Sequence, residues 1–175
     1  MVKTRGLHLY SDEHYTPPEV ALDIVRFFRP HGHTLEPFVG DGAFRDALVQ
    51  FHRERAGYFG ALSRVFWCDL EEGFDFFAWD QEVNWIVTNP PYSILTDVMR
   101  HCFEVAQRTV LLVPMSKIYS SAPRMELVRR VAGIESQYVL GVGRELGFNS
   151  GFPFAAIQFT RGYHGPATTH WKGNS

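Results

Sequence analysis

Apolar positions along the chain alternate between helical spacing and short unbroken runs. Residues 1–13 show no periodicity and read as a mobile arm. Thr16-Pro17-Pro18-Glu19 then has the form of a helix start, with Thr16 as N-cap and Glu19 closing a capping box. Val20, Ile24, Phe27 and Phe28 share one side of a helix from Pro17 to about Phe28, which Pro30 and Gly32 end. Leu35 to Phe38 reads as a short strand that runs into Val39-Gly40-Asp41-Gly42-Ala43-Phe44 and a helix through about Arg55. Ser63 to Cys68 is a second strand, and the run from Val83 to Val87 a third, buried one. The short distance between them predicts that any further strand there is stunted or replaced by a loop.

Downstream, Leu95, Val98, Met99, Cys102, Phe103 and Ala106 mark a helix from Leu95 to Gln107, followed by a continuous apolar strand from Thr109 to Pro114. Met125 to Val131 lies in a helix that carries Arg124, Arg129 and Arg130. Ser136–Val142 and Phe154–Thr160 read as strands, joined by a polar, glycine-rich and aromatic linker, and residues 164–175 as a frayed, mobile tail. Strands alternating with helices predict an α/β protein built on a largely parallel sheet.

At 175 residues the chain is expected to be one domain, with 45% hydrophobic and 15% aromatic residues to fill a core. No apolar stretch approaches a membrane span, and Met1 to Arg5 lacks a signal-peptide core, so a cytoplasmic protein is expected. Cys68 and Cys102 are too few for a metal cluster and read as buried thiols. His31-x-His33 reads as a solvated turn, and no metal is expected. The net charge of −2 hides an asymmetry. Residues 1–92 carry eight Lys and Arg against fourteen Asp and Glu, a net −6; residues 93–175 carry nine against five, a net +4. A basic second half suits a polyanionic partner, while an acidic first half suits a cationic ligand.

The chemistry centres on Thr88-Asn89-Pro90-Pro91-Tyr92. Two prolines end the strand abruptly, because proline donates no ladder hydrogen bond and fixes its own φ. Asn89 therefore sits at a strand's carboxyl end, where open α/β sheets bind ligands. Asn-Pro-Pro-Tyr after such a strand resembles the catalytic motif of the S-adenosylmethionine-dependent amino-methyltransferases. That resemblance implies that the Asn89 side-chain oxygen and the Pro90 carbonyl accept from an amino group and that Tyr92 stacks on the base. Such catalysis is positioning and electrostatics, with no triad or metal. Asp69, ending the second strand roughly two dozen residues past the glycine turn, stands where a ribose diol is held in such folds.

Three motifs stand in one order: Tyr15-Thr16-Pro17-Pro18-Glu19, Glu36-Pro37-Phe38-Val39-Gly40-Asp41-Gly42-Ala43-Phe44, and Asn89-Pro90-Pro91-Tyr92. Together, over roughly residues 14 to 115, they resemble the S-adenosylmethionine-dependent N6-adenine DNA methyltransferases, in a small bacterial or phage-like form. The resemblance implies a Rossmann-like class I sheet of seven strands with helices on both faces and one antiparallel strand near the C-terminus. It implies Asn89, Pro90, Pro91 and Tyr92 as catalytic. It places Tyr15, Thr16, Glu36, Pro37, Phe38, Gly40, Gly42 and Phe44 around the methionine part of S-adenosylmethionine, Asp69 and Leu70 at the ribose, and Asp75 and Phe76 at the adenine ring. Residues after the catalytic strand are expected to meet DNA: Ser93, Lys117, Tyr119, Arg124, Arg144, Phe148, Asn149 and Phe152, with Phe148 or Phe152 closing over a flipped base.

The pattern departs from the family in one respect. About fifty residues separate the glycine turn from Asn89, which leaves no room for a target-recognition region. Low sequence specificity and a preference for single-stranded or unstacked DNA are expected, because a base must leave its stack to be methylated. Competing readings are methylation of RNA adenine, methylation of a protein glutamine amide, and a subunit that binds cofactor without catalysis. The oligomeric state is not legible.

Overall fold

Pro18 to Phe28 forms the first helix, α1, in a computed structural model that describes residues 15–55, 63–70 and 72–173. The expected capping box is absent. Pro18 keeps the residue before it extended, so Pro17 (φ −57°, ψ 137°) becomes the N-cap and no side chain caps the helix. Val20, Ala21, Ile24, Val25 and Phe28 are buried along one side. The helix ends at Arg29, left-handed at φ 52°, whose N–H reaches the Val25 carbonyl. The arm at residues 1–13 lies outside the described residues.

The chain continues through β1 (Thr34–Glu36), α2 (Ala43–Glu54), β2 (Val65–Trp67) and β3 (Val83–Thr88). Among the described residues between β2 and β3 there is one 3₁₀ turn, Phe76–Ala78, and no strand, as the short spacing predicts. Then come α3 (Leu95–Val105), β4 (Ala106–Pro114), α4 (Met115–Tyr119), α5 (Ala122–Arg130), β5 (Ala132–Val142), β6 (Pro153–Arg161) and β7 (Thr168–Trp171). Helix α3 passes into β4 without a loop, two residues earlier than the apolar spacing suggests.

The seven strands form one sheet in the order β2-β1-β3-β4-β6-β5-β7. Only β6 is antiparallel, inserted between β4 and β5. The count of seven matches expectation, but one member differs. The tail is not frayed at 168–171: β7 pairs in parallel with β5, Ser136 opposite Thr168 and Val139 opposite Trp171. Lys172 then reaches Asp23 of α1 at 3.2 Å, the same carboxylate that accepts the Tyr138 hydroxyl. Tyr138 stacks on Phe27 at 4.2 Å between ring centroids, so β5, β7 and α1 close on one cluster.

Successive strand residues point to opposite faces. Leu111 to Pro114 of β4 and Phe154 to Thr160 of β6 are buried without interruption, so the sheet's centre is covered on both faces. Phe51, Phe76, Phe103, Phe154 and Phe159 are the largest fully buried side chains. Among the described residues no helix is long and apolar enough to cross a membrane. The central strands β1 and β3 thus end side by side in a rigid sheet, with their carboxyl ends carrying the motifs.

Candidate active site

β3 stops at Thr88 because Pro90 and Pro91 cannot continue the ladder. Both prolines are buried, and a 3₁₀ turn from Tyr92 to Ile94 follows. Asn89, between Thr88 and Pro90, is partly exposed and held at both ends of its amide. Its Nδ2 donates to the Thr16 hydroxyl at 3.1 Å, and its Oδ1 accepts from the Tyr92 hydroxyl at 2.9 Å. Thr16 is therefore spent on Asn89 and not on α1. Tyr92, expected to offer an open ring, is only 7% exposed, and the Lys117 ammonium stands 5.8 Å from its ring centroid.

At the end of β1, Glu36 is buried and accepts the Phe38 N–H at 2.9 Å. Burial pushes its carboxyl from 4.5 up to about 8, against the Thr88 hydroxyl and the Phe38 N–H, which both favour the ionised form. The Thr88 oxygen lies close to the carboxyl but outside hydrogen-bond geometry, and is a buried hydroxyl with no partner among the described residues. Gly40 (φ 47°) and Gly42 (φ 87°) make the left-handed turn that leads to α2, with Gly42 as its N-cap. The Tyr15 ring lies 3.6 Å from where a Cβ on Gly40 would be.

These segments enclose a cleft of about 290 Å³, partly open to solvent. Its walls are Tyr15 and Thr16 ahead of α1, Glu36 at the end of β1, six residues of the glycine turn, and Asn89. Of the residues expected at a cofactor, Tyr15, Thr16, Glu36, Phe38, Gly40 and Phe44 line it. Val39, Asp41 and Ala43 line it too, and within the motif only their place beside the glycines marks them. Among the described residues the lining carries two carboxyl groups, three aromatic rings and no Lys or Arg. That donor set suits a cationic ligand.

Pro37, Gly42, Asp69, Leu70, Asp75 and Phe76 are not among the lining residues. Asp69 and Leu70 sit in the turn after β2, where the Asp69 carbonyl accepts the Phe74 N–H at 2.8 Å. Asp75 caps the 3₁₀ turn through the Phe77 N–H at 2.9 Å. Phe76 is 2% exposed and packs edge-on against Phe38 at 5.4 Å, so its ring belongs to the core beneath the cleft. Burial, with help from the charge of Glu36, pushes Cys68 up to about 11, and burial likewise raises Cys102. Both are inert thiols.

The residues expected at the substrate divide. Ser93, Lys117, Arg144, Asn149 and Phe152 are exposed. Phe148 is not: it is 4% exposed and stacked on Phe154 at 4.6 Å, so it cannot close over a base from this position. An aromatic residue in a polar linker read as a free ring, but the linker folds back and buries it. Its neighbour Gly147 comes within reach of Pro17, where a Cβ would lie 3.3 Å from the proline ring, which sets the β5–β6 connection beside Thr16. Tyr119 ties α4 to β5 by donating to Gln137 at 2.6 Å. Arg124 is half-buried, with Nε and Nη1 lacking partners among the described residues.

No family model matches the sequence, and no curated protein matches it significantly. Solved structures do resemble it. A modification subunit of a putative type I restriction enzyme from Vibrio vulnificus YJ016 is similar over 90% of this chain and 46% of its own, with TM-score 0.63 and 16% identity. The M protein of the type I restriction enzyme EcoKI is similar over 86% of this chain and 44% of its own, with TM-score 0.66 and 12% identity. A putative class I S-adenosylmethionine-dependent methyltransferase from Listeria monocytogenes covers 95% and 68%, with TM-score 0.66 and 8% identity. This chain spans less than half the length of the two modification subunits. The fold is that of the class I methyltransferases.

Proposed function

We propose that this chain transfers a methyl group from S-adenosylmethionine to N6 of adenine in DNA, in the cytoplasm. One observation carries the reading: Asn89 opens into the same cleft as the glycine turn and Tyr15. The cleft residues fit the donor, whose sulfonium and ammonium groups are cationic and find Glu36, Asp41 and aromatic walls. When bound, that donor supplies an electrophilic methyl group. The likeness to type I modification subunits supports a DNA substrate.

The chain's own work is positioning. An adenine amino nitrogen is a poor nucleophile because its lone pair is delocalised into the ring. Asn89 Oδ1 and the Pro90 carbonyl accept hydrogen bonds from that amino group and favour a more tetrahedral nitrogen. That nitrogen would take the methyl as the donor's sulfur–methyl bond breaks to leave a thioether, its surplus proton passing to solvent. The amide cannot rotate away, since Thr16 holds Nδ2 and Tyr92 holds Oδ1. Pro90 and Pro91 remove the freedom of the backbone that follows Asn89. Placing a group within a fraction of an ångström is worth orders of magnitude in rate. Asp69 takes the ribose hydroxyls from beside the cleft, and Ser93, Lys117, Arg144, Asn149 and Phe152 meet the strand.

A methyl-labelled donor offered with DNA and RNA oligonucleotides of one sequence, and with a glutamine peptide, tests the reading. Label is expected on N6 of adenine in DNA, and Asn89→Ala is expected to abolish transfer while cofactor binding persists. Label only in RNA or peptide, or turnover retained in Asn89→Ala, would overturn it.

A further inference from the structure

The segment from α4 to α5 carries four cations, Lys117, Arg124, Arg129 and Arg130, against one carboxylate, Glu126. Glu126 is taken by Arg129 at 2.9 Å and by Arg130. That leaves Lys117 and Arg124 without an ion pair among the described residues. Arg124 is turned inward, with two nitrogens buried. Lys117 is exposed, and its ammonium faces the Tyr92 ring at 5.8 Å. Tyr92 donates its hydroxyl to Asn89, so a cation with no ion pair among the described residues stands one side chain away from the amide at the centre of the site.

That placement conflicts with the reaction unless an anion arrives. A positive charge beside Asn89 opposes both a cationic donor and a nitrogen that becomes positive as it is alkylated. The carboxyl groups of the cleft belong to β1 and the glycine turn, not to α4. A polyanionic substrate supplies an offsetting charge there. A nucleic-acid strand brings a phosphate next to every base, whereas a glutamine side chain or a free nucleoside brings none. Lysine suits the task, because its flexible four-carbon stem lets the ammonium leave the ring when a base takes that face.

We propose, on the premise of the methyltransferase reading, that Lys117 anchors the backbone phosphate adjacent to the target nucleotide, and that the site is built for a polyanionic strand. The phosphate withdraws the cation from Tyr92, neutralises it, and fixes the nucleotide's backbone one residue from Asn89. Lys117 is thus a substrate-binding residue whose contact carries no sequence information.

The test is fluorescence anisotropy of a labelled single-stranded DNA oligonucleotide with one adenine, bound to the full chain over a salt series. Lys117→Gln is expected to weaken binding roughly tenfold at low salt, the scale of one charge-assisted contact. The slope of log affinity against log salt should become shallower by about 0.7, the value of one phosphate on a single strand. Lys117→Arg should keep the slope. An uncharged methylphosphonate linkage beside the adenine should cost the wild-type chain a similar factor and Lys117→Gln nothing further. An unchanged slope in Lys117→Gln, or losses from variant and linkage that add in full, would overturn the proposal. Binding is read without transfer, so the two readings fail separately. A wild-type chain that methylates no DNA would remove the proposed reaction, while a changed slope would still support the anchor.

Discussion

The Thr16 hydroxyl accepts a hydrogen bond from Asn89 Nδ2 at 3.1 Å, joining two segments 73 residues apart. The bond fixes the amide in the one rotation that turns its oxygen toward Tyr92 and leaves its nitrogen occupied. Thr16→Val keeps the shape of the side chain and removes the acceptor. The expected outcome is a kcat lower by roughly ten- to a hundredfold, the scale of a misplaced reacting group, with an unchanged fold by circular dichroism. Thr16→Ser should restore most of the rate. Equal kcat in Thr16→Val and wild type would show that Asn89 needs no such restraint.

Glu36 gives the cleft a pH dependence with a definite sign. Its carboxyl titrates near 8 in the folded chain and near 4.5 when exposed, because burial disfavours the charge. Between those values the unfolded chain holds fewer protons than the folded one, so stability falls as pH rises. The contribution is full below about 4.5, is lost progressively up to about 8, and is constant beyond. A shift of this size is on the order of several kcal/mol. Urea denaturation from pH 5 to 9 should show the decline in wild type and a flat profile in Glu36→Gln. A cationic ligand favours the ionised form, so its affinity should rise over the same interval in wild type only.

Long periodic elements were legible because tertiary context had little to add. The apolar spacing of α1 and α3 and the unbroken runs of β3 and β4 each have one sensible buried arrangement. The Asn89 motif was legible for a related reason, since two prolines after a strand leave the chain few options. What stayed hidden depended on partners distant in sequence. Residues 168–171 are exposed, and only pairing with β5 makes them a strand. Phe148 looked free until Phe154 stacked on it. Glu36 read as a ligand contact, but nothing local announced a buried carboxyl, a state that follows from lying between β2 and β3. The capping box at Thr16 failed because Pro18 moved the helix start by one residue.

Asp69 and Asp75 should separate in experiment, although the sequence sets them in similar roles. Asp75 caps the 3₁₀ turn beneath the cleft through the Phe77 N–H. Asp75→Ala should lower stability by about 1 kcal/mol, the usual cost of a lost cap, which shows as a lower Tm. Asp69 sits in the turn after β2, where its carbonyl accepts the Phe74 N–H. Asp69→Ala should weaken S-adenosylmethionine binding. Unchanged affinity in a titration of Asp69→Ala would remove it from the site.

The last prediction concerns the state of the strand that the site accepts. Asn89 is only partly exposed, and the cleft behind it lies among β1, the glycine turn and Tyr15, so a base must come to it edge-first and alone. In a matched duplex that base must first be unpaired and unstacked, at a cost of a few kcal/mol. Proteins that flip bases offset the cost with phosphate contacts or a wedge that fills the gap. Phe148, one of the two rings expected to close over a base, is stacked against Phe154, which leaves the exposed Phe152 of that linker. The cost therefore falls largely on the rate. Transfer to an adenine in single-stranded DNA should exceed transfer to the same adenine in matched duplex by roughly ten- to a hundredfold, following from a few kcal/mol of opening energy. A mismatched adenine should fall between. Single-turnover rates on three oligonucleotides of one sequence measure it, and a matched duplex that reacts as fast as the single strand would mean that the chain opens DNA by a device outside this cleft.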